Sequence, residues 1–252
     1  MEISAHLVDE VIPRVPIRQW VITFPFDLRY LLAWHKKLRA QILSAVMRGL
    51  ERHYVAQARA QGGQDPKYAA VSVAQRMDGA VRLNVHFHVL CADGAWIKTE
   101  NAVEFLQAPP ITQDVVEEVF ADILQRIGRQ TAKLPDLIED PGLFPKPDNS
   151  AMASILKSAM LGHQMAGKDK GKPQRVEFGK HVPTIHSDLR KRNCARGEGF
   201  SLHADRTVAP DDREDLESLC NYLCRPAVPA DRLELVDNPV GNRTIRARPK
   251  LV

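Results

Sequence analysis

Cysteine is scarce in this 252-residue chain: Cys91, Cys194, Cys220 and Cys224 are all there is, and no two stand at Cys-x-x-Cys spacing. That excludes a disulfide framework and a self-contained zinc module. No run approaches 18 consecutive apolar residues, so no helical membrane span is expected. Met1-Glu2-Ile3-Ser4-Ala5-His6 lacks a basic stretch followed by an apolar one, so no secretory leader is expected either, and a cytoplasmic location is the default. Charge of one sign is not in great excess: 35 Lys+Arg stand against 31 Asp+Glu, a net +4. With 44% hydrophobic and 26% charged residues, the chain is neither wholly disordered, nor a collagen-like fibre, nor a coiled coil. Its length suits one large domain or two small ones with a sizeable core.

The small net charge is unevenly spread. Residues 166–200 hold nine Lys/Arg against four Asp/Glu, and Gly241 to Lys250 carries Arg243, Arg246, Arg248 and Lys250 without an acid. Residues 112–148 lean acidic. Such asymmetry suits a phosphate-binding face, although a solvated loop and a loose tail would look the same.

Residues 17–26, rich in β-branched and aromatic types and stopped at Pro25, predict a strand. From Asp27 the apolar spacing turns helical. Leu28, Leu31, Leu32, Leu38, Ile42, Val46, Leu50 and Tyr54 form a stripe that predicts one long helix ending near Gly62-Gly63. Two apolar runs, Tyr68 to Gln75 and Val81 to Leu90, are joined through Met77-Asp78-Gly79, a hairpin signal. A second Asp-Gly, Asp93-Gly94, turns the chain towards Ala95-Trp96-Ile97 and extends the meander. Helices are expected over 112–131 and 150–166, with a Pro-rich loop at 135–149 between them. Residues 167–198 are too weakly patterned to assign. Gly199 to Ala204 reads as a strand, and a last helix starts at Asp211, with Glu214 at capping-box spacing, and ends before Pro226. The expected fold is α+β: an antiparallel sheet carrying the His-x-His strand, covered by helices. It divides into 1–134, the first part of the main domain; 135–198, a linker and basic insertion; 199–236, the second part of that domain with the last helix; and 237–252, a basic tail.

The chemistry is concentrated in Asn84-Val85-His86-Phe87-His88-Val89. Side chains two apart on a strand share a face, so His86 and His88 would present two imidazoles to one cation while Val85, Phe87 and Val89 pack behind. Chance alone supplies about 0.3 His-x-His in such a chain, so the triplet needs company. Tyr222 supplies it. Leu216, Leu219 and Leu223 mark the buried stripe of the last helix, and Tyr222 lies at its edge, with Arg225 a turn further on where it would meet a phosphate or favour the helix end. A divalent cation on the histidines would polarise a phosphoryl group, and a helix-borne tyrosine over the sheet would attack it, forming a covalent phosphotyrosine and releasing a sugar hydroxyl. Cys220 and Cys224, four apart, read as packed small residues before metal ligands.

These features resemble the HUH endonucleases, named for His, a hydrophobic residue and His. More narrowly, the chain resembles the rolling-circle transposases of the insertion-sequence ninety-one type, in the branch with one tyrosine. The similarity runs through Ala5 to Ala33, Val73-Ala74-Gln75-Arg76, Leu83 to Leu90, Asp93-Gly94, Gly199 to Ala204, and Asp212 to Pro226. The resemblance implies that His86 and His88 are metal ligands for Mg²⁺ or Mn²⁺ and that Tyr222 is the nucleophile towards DNA. It implies a third ligand, for which Gln75 is preferred and His203 is the rival; simple hairpin pairing sets Gln75 opposite about residue 82, below the histidines, and a bulge near the turn would repair that. The implied partner is single-stranded DNA, such as hairpins at transposon ends, with no membrane and no stated oligomeric state. Arg225, Lys168, Lys170, Lys172, Arg190, Lys191 and Arg192 would contact its backbone. Family members usually begin with a cysteine-rich zinc-binding region, and this sequence starts where that region would end. A non-catalytic DNA-binding remnant and a replication initiator of the same superfamily are the alternatives.

Overall fold

The computed structural model describes residues 2–77, 83–131, 186–187, 193–225, 233–237 and 243–247. In chain order these form α1 (Glu2–His6) running into a π-helical turn (Leu7–Val11), β1 (Ile17–Thr23), α2 (Phe26–Trp34), α3 (Lys36–Ala60), β2 (Ala70–Met77), β3 (Leu83–Ala92), β4 (Gly94–Lys98), β5 (Val103–Gln107), α4 (Gln113–Thr131), β6 (His186–Ser187), β7 (Cys194–Gly197), β8 (Phe200–His203), β9 (Thr207–Val208), α5 (Arg213–Cys224), β10 (Leu233–Asp237) and β11 (Arg243–Ala247). The fold is α+β, with an antiparallel main sheet. Among the described residues no helix is long and apolar enough to cross a membrane.

The main sheet runs β2-β3-β1-β8-β7-β6, with β9 also paired to β1. Alternation decides what each face buries. Trp20 and Ile22 of β1 and Phe24 just past its end, with Val85, Phe87 and Val89 of β3 and Leu202 of β8, pack in one cluster with Leu32, Leu38, Ile42, Leu50, Phe120 and Ile123 from α2, α3 and α4. The opposite face buries Ile17 and Leu90 with Val208, Val8, Ile12 and the inward side chains of α5. The sheet is therefore sandwiched between helices, and α5 sits on the face that also carries the histidines.

A polar rivet ties this frame together. Arg18, whose side chain is 9% exposed, meets Asp93, 7% exposed, in a two-pronged ion pair of 2.9 and 2.8 Å. Arg18 also donates to Ala204 O, while Tyr54 Oη donates to Asp93 at 3.0 Å and receives Trp20 Nε1–H at 3.0 Å. The network joins β1, α3, the bend between β3 and β4 and the segment after β8.

Several expectations need correcting. The long helix is two, broken at His35, where the backbone is extended and His35 Nδ1 accepts from Leu38 N at 2.9 Å as the cap of α3. Arg39 donates to the carbonyls of Leu32 and Ala33, satisfying the end of α2. A side chain thus does what no glycine or proline signalled. Gly94 is not a turn residue but the first of β4, which pairs with β5 in a sheet of its own instead of extending the meander. A Cβ there would lie 2.3 Å from Leu106 O, so close backbone approach requires the glycine. Residues 194–197, placed with the basic insertion, form β7 and turn into β8 through Glu198 (φ 48) and Gly199 (φ 79), a pair of left-handed residues that suits a tight hairpin. The boundary at 198/199 therefore cuts a hairpin. The cap of α5 is Asp212, which accepts from Asp215 N at 3.0 Å, one residue past the expected Asp211. The turn at Asp78-Gly79, the helix over 150–166 and the loop over 135–149 lie outside the described residues.

Candidate active site

The register of the sheet gathers the candidate ligands. Gln75 is opposite His86, which is opposite Thr23; Val73 is opposite His88, which is opposite Val21. Residues in register project to one face, so Gln75, His86 and His88 stand together. The hairpin expectation set Gln75 opposite about residue 82, and the structure moves it four positions up β3. Two things account for this: β3 starts only at Leu83, and the register shifts by a bulge between Gln75 and Met77.

Each imidazole is held by its Nδ1. His86 Nδ1 lies 2.5 Å from the carbonyl of Asn84, which can only accept, so Nδ1 carries a proton and donates it. His88 Nδ1 lies 2.9 Å from the side-chain amide of Gln19 on β1. His88 Nε2 is buried without a hydrogen-bond partner, and so is Asn84 Oδ1. The rings are 4.8 Å apart at 68°. Burial, with His86 as a second cause, pulls His88 down to about 4, so it is neutral at physiological pH.

The helix α5 brings the phenol. Leu216, Leu219, Cys220 and Leu223 are its buried stripe. Each buried leucine contributes about 1.5–3 kcal/mol of apolar burial, enough together to seat a three-turn helix. Tyr222, one step off the stripe, is 52% exposed, yet its ring centroid is 6.1 Å from that of His88, with the planes at 90°. Two side chains fix the helix on either side of it. Gln75 Nε2 donates to Leu223 O at 3.1 Å, and Ser4 Oγ donates to Asn221 Oδ1. Gln75 thus spends its amide nitrogen on α5, and its oxygen is the atom suited to a hard cation. Arg225 is exposed and ends the helix; it borders an open depression of about 520 Å³ that Tyr222, Asn221 and Glu217 also line. Cys220 is fully buried, its thiol pushed up to about 11 by burial and by Cys224, as befits a packed side chain.

His203 shares the histidine face but stands across β1, since Val21 is opposite both His88 and His203. Two strand spacings put the backbones about 10 Å apart. Its Nε2 lies 3.2 Å from Ser201 Oγ and 3.6 Å from Cys194 Sγ. Among the described residues, no three His, Cys, Asp or Glu side chains form a group that could hold a metal ion. Lys168, Lys170, Lys172, Arg190, Lys191 and Arg192 lie outside the described residues. Sequence reasoning gave no role to Gln19, to the Arg18–Asp93 pair or to the Asn84 side chain. Two polar residues inside apolar strand runs, Arg18 and Gln19 in Ile17-Arg18-Gln19-Trp20-Val21, were the available signal.

Comparison with known proteins narrows the identity. Neither the curated proteins nor the solved structures yield a significant match. A family model described as "Putative transposase" matches residues 69–248, well over half of the chain, a span that includes Gln75, His86, His88 and Tyr222. The chain belongs to that transposase family.

Proposed function

We propose that this transposase is a metal-dependent transesterase of single-stranded DNA, which cuts and rejoins strands through a covalent phosphotyrosine on Tyr222, in the manner of the HUH enzymes. The observation that carries the reading is the perpendicular approach of the Tyr222 ring to His88, 6.1 Å between centroids, over the sheet face shared by His86 and Gln75. The donor set fits a divalent cation, Mg²⁺ or Mn²⁺. His88 has a buried Nε2 without a hydrogen-bond partner, His86 Nδ1 faces Asn84 O, and Gln75 is in register beside them. His86, His88 and Gln75 would hold the ion, with Gln75 preferred over His203, which is a strand further away. When bound, such an ion polarises a phosphodiester.

The chain's own part follows from the helix. Tyr222 Oη attacks phosphorus; the new Oη–P bond forms as the bond to the departing sugar oxygen breaks. The phenolic proton is lost, and the sugar oxygen takes up a proton to leave as a hydroxyl. Because one phosphoester is exchanged for another, a second sugar hydroxyl can reverse the step without a nucleotide energy source. Exposure of Tyr222 on one side leaves room for a strand to enter, and Arg225 would meet a backbone phosphate. The run containing Lys168, Lys170, Lys172, Arg190, Lys191 and Arg192 would add sequence-independent contacts.

The test uses labelled single-stranded oligonucleotides, random and hairpin-forming, with Mg²⁺ or Mn²⁺. Cleavage is expected for the unaltered chain and not for the paired substitution His86→Ala with His88→Ala. Equal cleavage by both would remove the histidines from the reaction. Salt-dependent binding with no cleavage in either would instead mark a DNA-binding protein without this chemistry.

A further inference from the structure

Gln19 has no part in the chemistry described so far. It lies on β1, outside the span matched by the family model, and is 8% exposed in the middle of an apolar strand. Its backbone N–H is already bonded to Arg206 O, so no ladder requirement explains an amide side chain there. The side chain points to the histidine face and stops 2.9 Å from His88 Nδ1.

We infer that Gln19 is a positioning residue that selects the tautomer of His88; this rests on the metal reading above. The hydrogen bonds carry the argument. With its amide nitrogen towards the ring, Gln19 donates to Nδ1, and a neutral imidazole must then keep its proton on Nε2. That is the buried atom without a partner. An Nε2 that bears a proton cannot bind a cation. Rotation of the amide by half a turn presents Oε1 instead, which accepts a proton on Nδ1 and puts the lone pair on Nε2. Gln19 is suited to both states because one side chain holds a donor and an acceptor at the same reach. At His86 the partner of Nδ1 is a backbone carbonyl, which only accepts. The two candidate ligands thus differ in what stands behind them: an acceptor alone at His86, a donor and an acceptor on one side chain at His88. Partners behind metal-bound histidines are typically worth 10–100-fold in affinity.

The inference is tested on the full chain by Mn²⁺ titration calorimetry and by ¹⁵N imidazole NMR, neither of which reads DNA cleavage. Without metal, His88 should be protonated on Nε2 in the unaltered protein. Gln19→Glu, whose carboxylate only accepts, should move the proton to Nδ1 and bind Mn²⁺ more tightly. Gln19→Met should weaken Mn²⁺ binding by about 10–100-fold while the circular dichroism spectrum is unchanged. A His88→Ala control separates the two readings. If His88→Ala abolishes Mn²⁺ binding but Gln19→Met binds normally, or if His88 keeps its tautomer in Gln19→Glu, the role of Gln19 is refuted and the metal reading stands. If His88→Ala itself binds Mn²⁺ like the unaltered chain, the metal reading fails and the role of Gln19 falls with it.

Discussion

Replacing Asp93 with alanine strips the counter-charge from a guanidinium that is almost wholly buried. Arg18 would retain Ala204 O at 2.7 Å and lose two charge-assisted bonds of 2.9 and 2.8 Å. Breaking one side of such a pair costs about 3–5 kcal/mol, because the surviving charge stays out of water. Tyr54 Oη loses its acceptor at the same time, worth about 1 kcal/mol. Against a domain stability of about 5–15 kcal/mol, Asp93→Ala should remove about a quarter or more. Urea denaturation followed by tryptophan fluorescence should show the midpoint falling at constant slope. The paired change Arg18→Met with Asp93→Leu should cost far less, since no charge is then left unpaired. An Asp93→Ala protein within 1 kcal/mol of the unaltered one would refute this reasoning, as would a double variant worse than the single.

Two further outcomes are expected. Burial, opposed by Asp93 and reinforced by Arg18, holds His53 down at about 4 against an ordinary 6.5. The unfolded chain therefore takes up this proton more readily, so its contribution is complete above pH 6.5 and falls as the pH drops towards 4, by at most about 3 kcal/mol. Urea midpoints measured from pH 7.5 to 4.5 should decline less steeply in His53→Phe; parallel declines would contradict the assignment. Single-stranded DNA affinity should fall as salt rises, and Arg225→Ala should shallow the log–log slope by about 0.7, whereas an unchanged slope would place Arg225 away from the strand.

What was legible in the sequence depended on the range of the interactions that set it. β1, the β2–β3 pairing, α4 and α5 were readable because alternation, helical spacing and turn residues act within a few positions. The face shared by His86 and His88 followed from strand geometry alone. The break at His35 was not readable, since it depends on Arg39 and Leu38 bonding to groups that only the folded chain aligns. The height of Gln75 on β3 was legible only as an option, because neither the start of β3 at Leu83 nor a one-residue bulge leaves a reliable mark in composition. Gln19 and Asp93 belong to the same class: each is an ordinary polar residue until a partner 69 or 75 positions away in sequence comes beside it.

The most direct measurement is peptide mapping by mass spectrometry after incubation with a single-stranded oligonucleotide and Mn²⁺. A nucleotide mass covalently attached at Tyr222, absent from Tyr222→Phe and lost when the metal is chelated, is the predicted result. Attachment at another residue, or an undiminished adduct in Tyr222→Phe, would contradict the account.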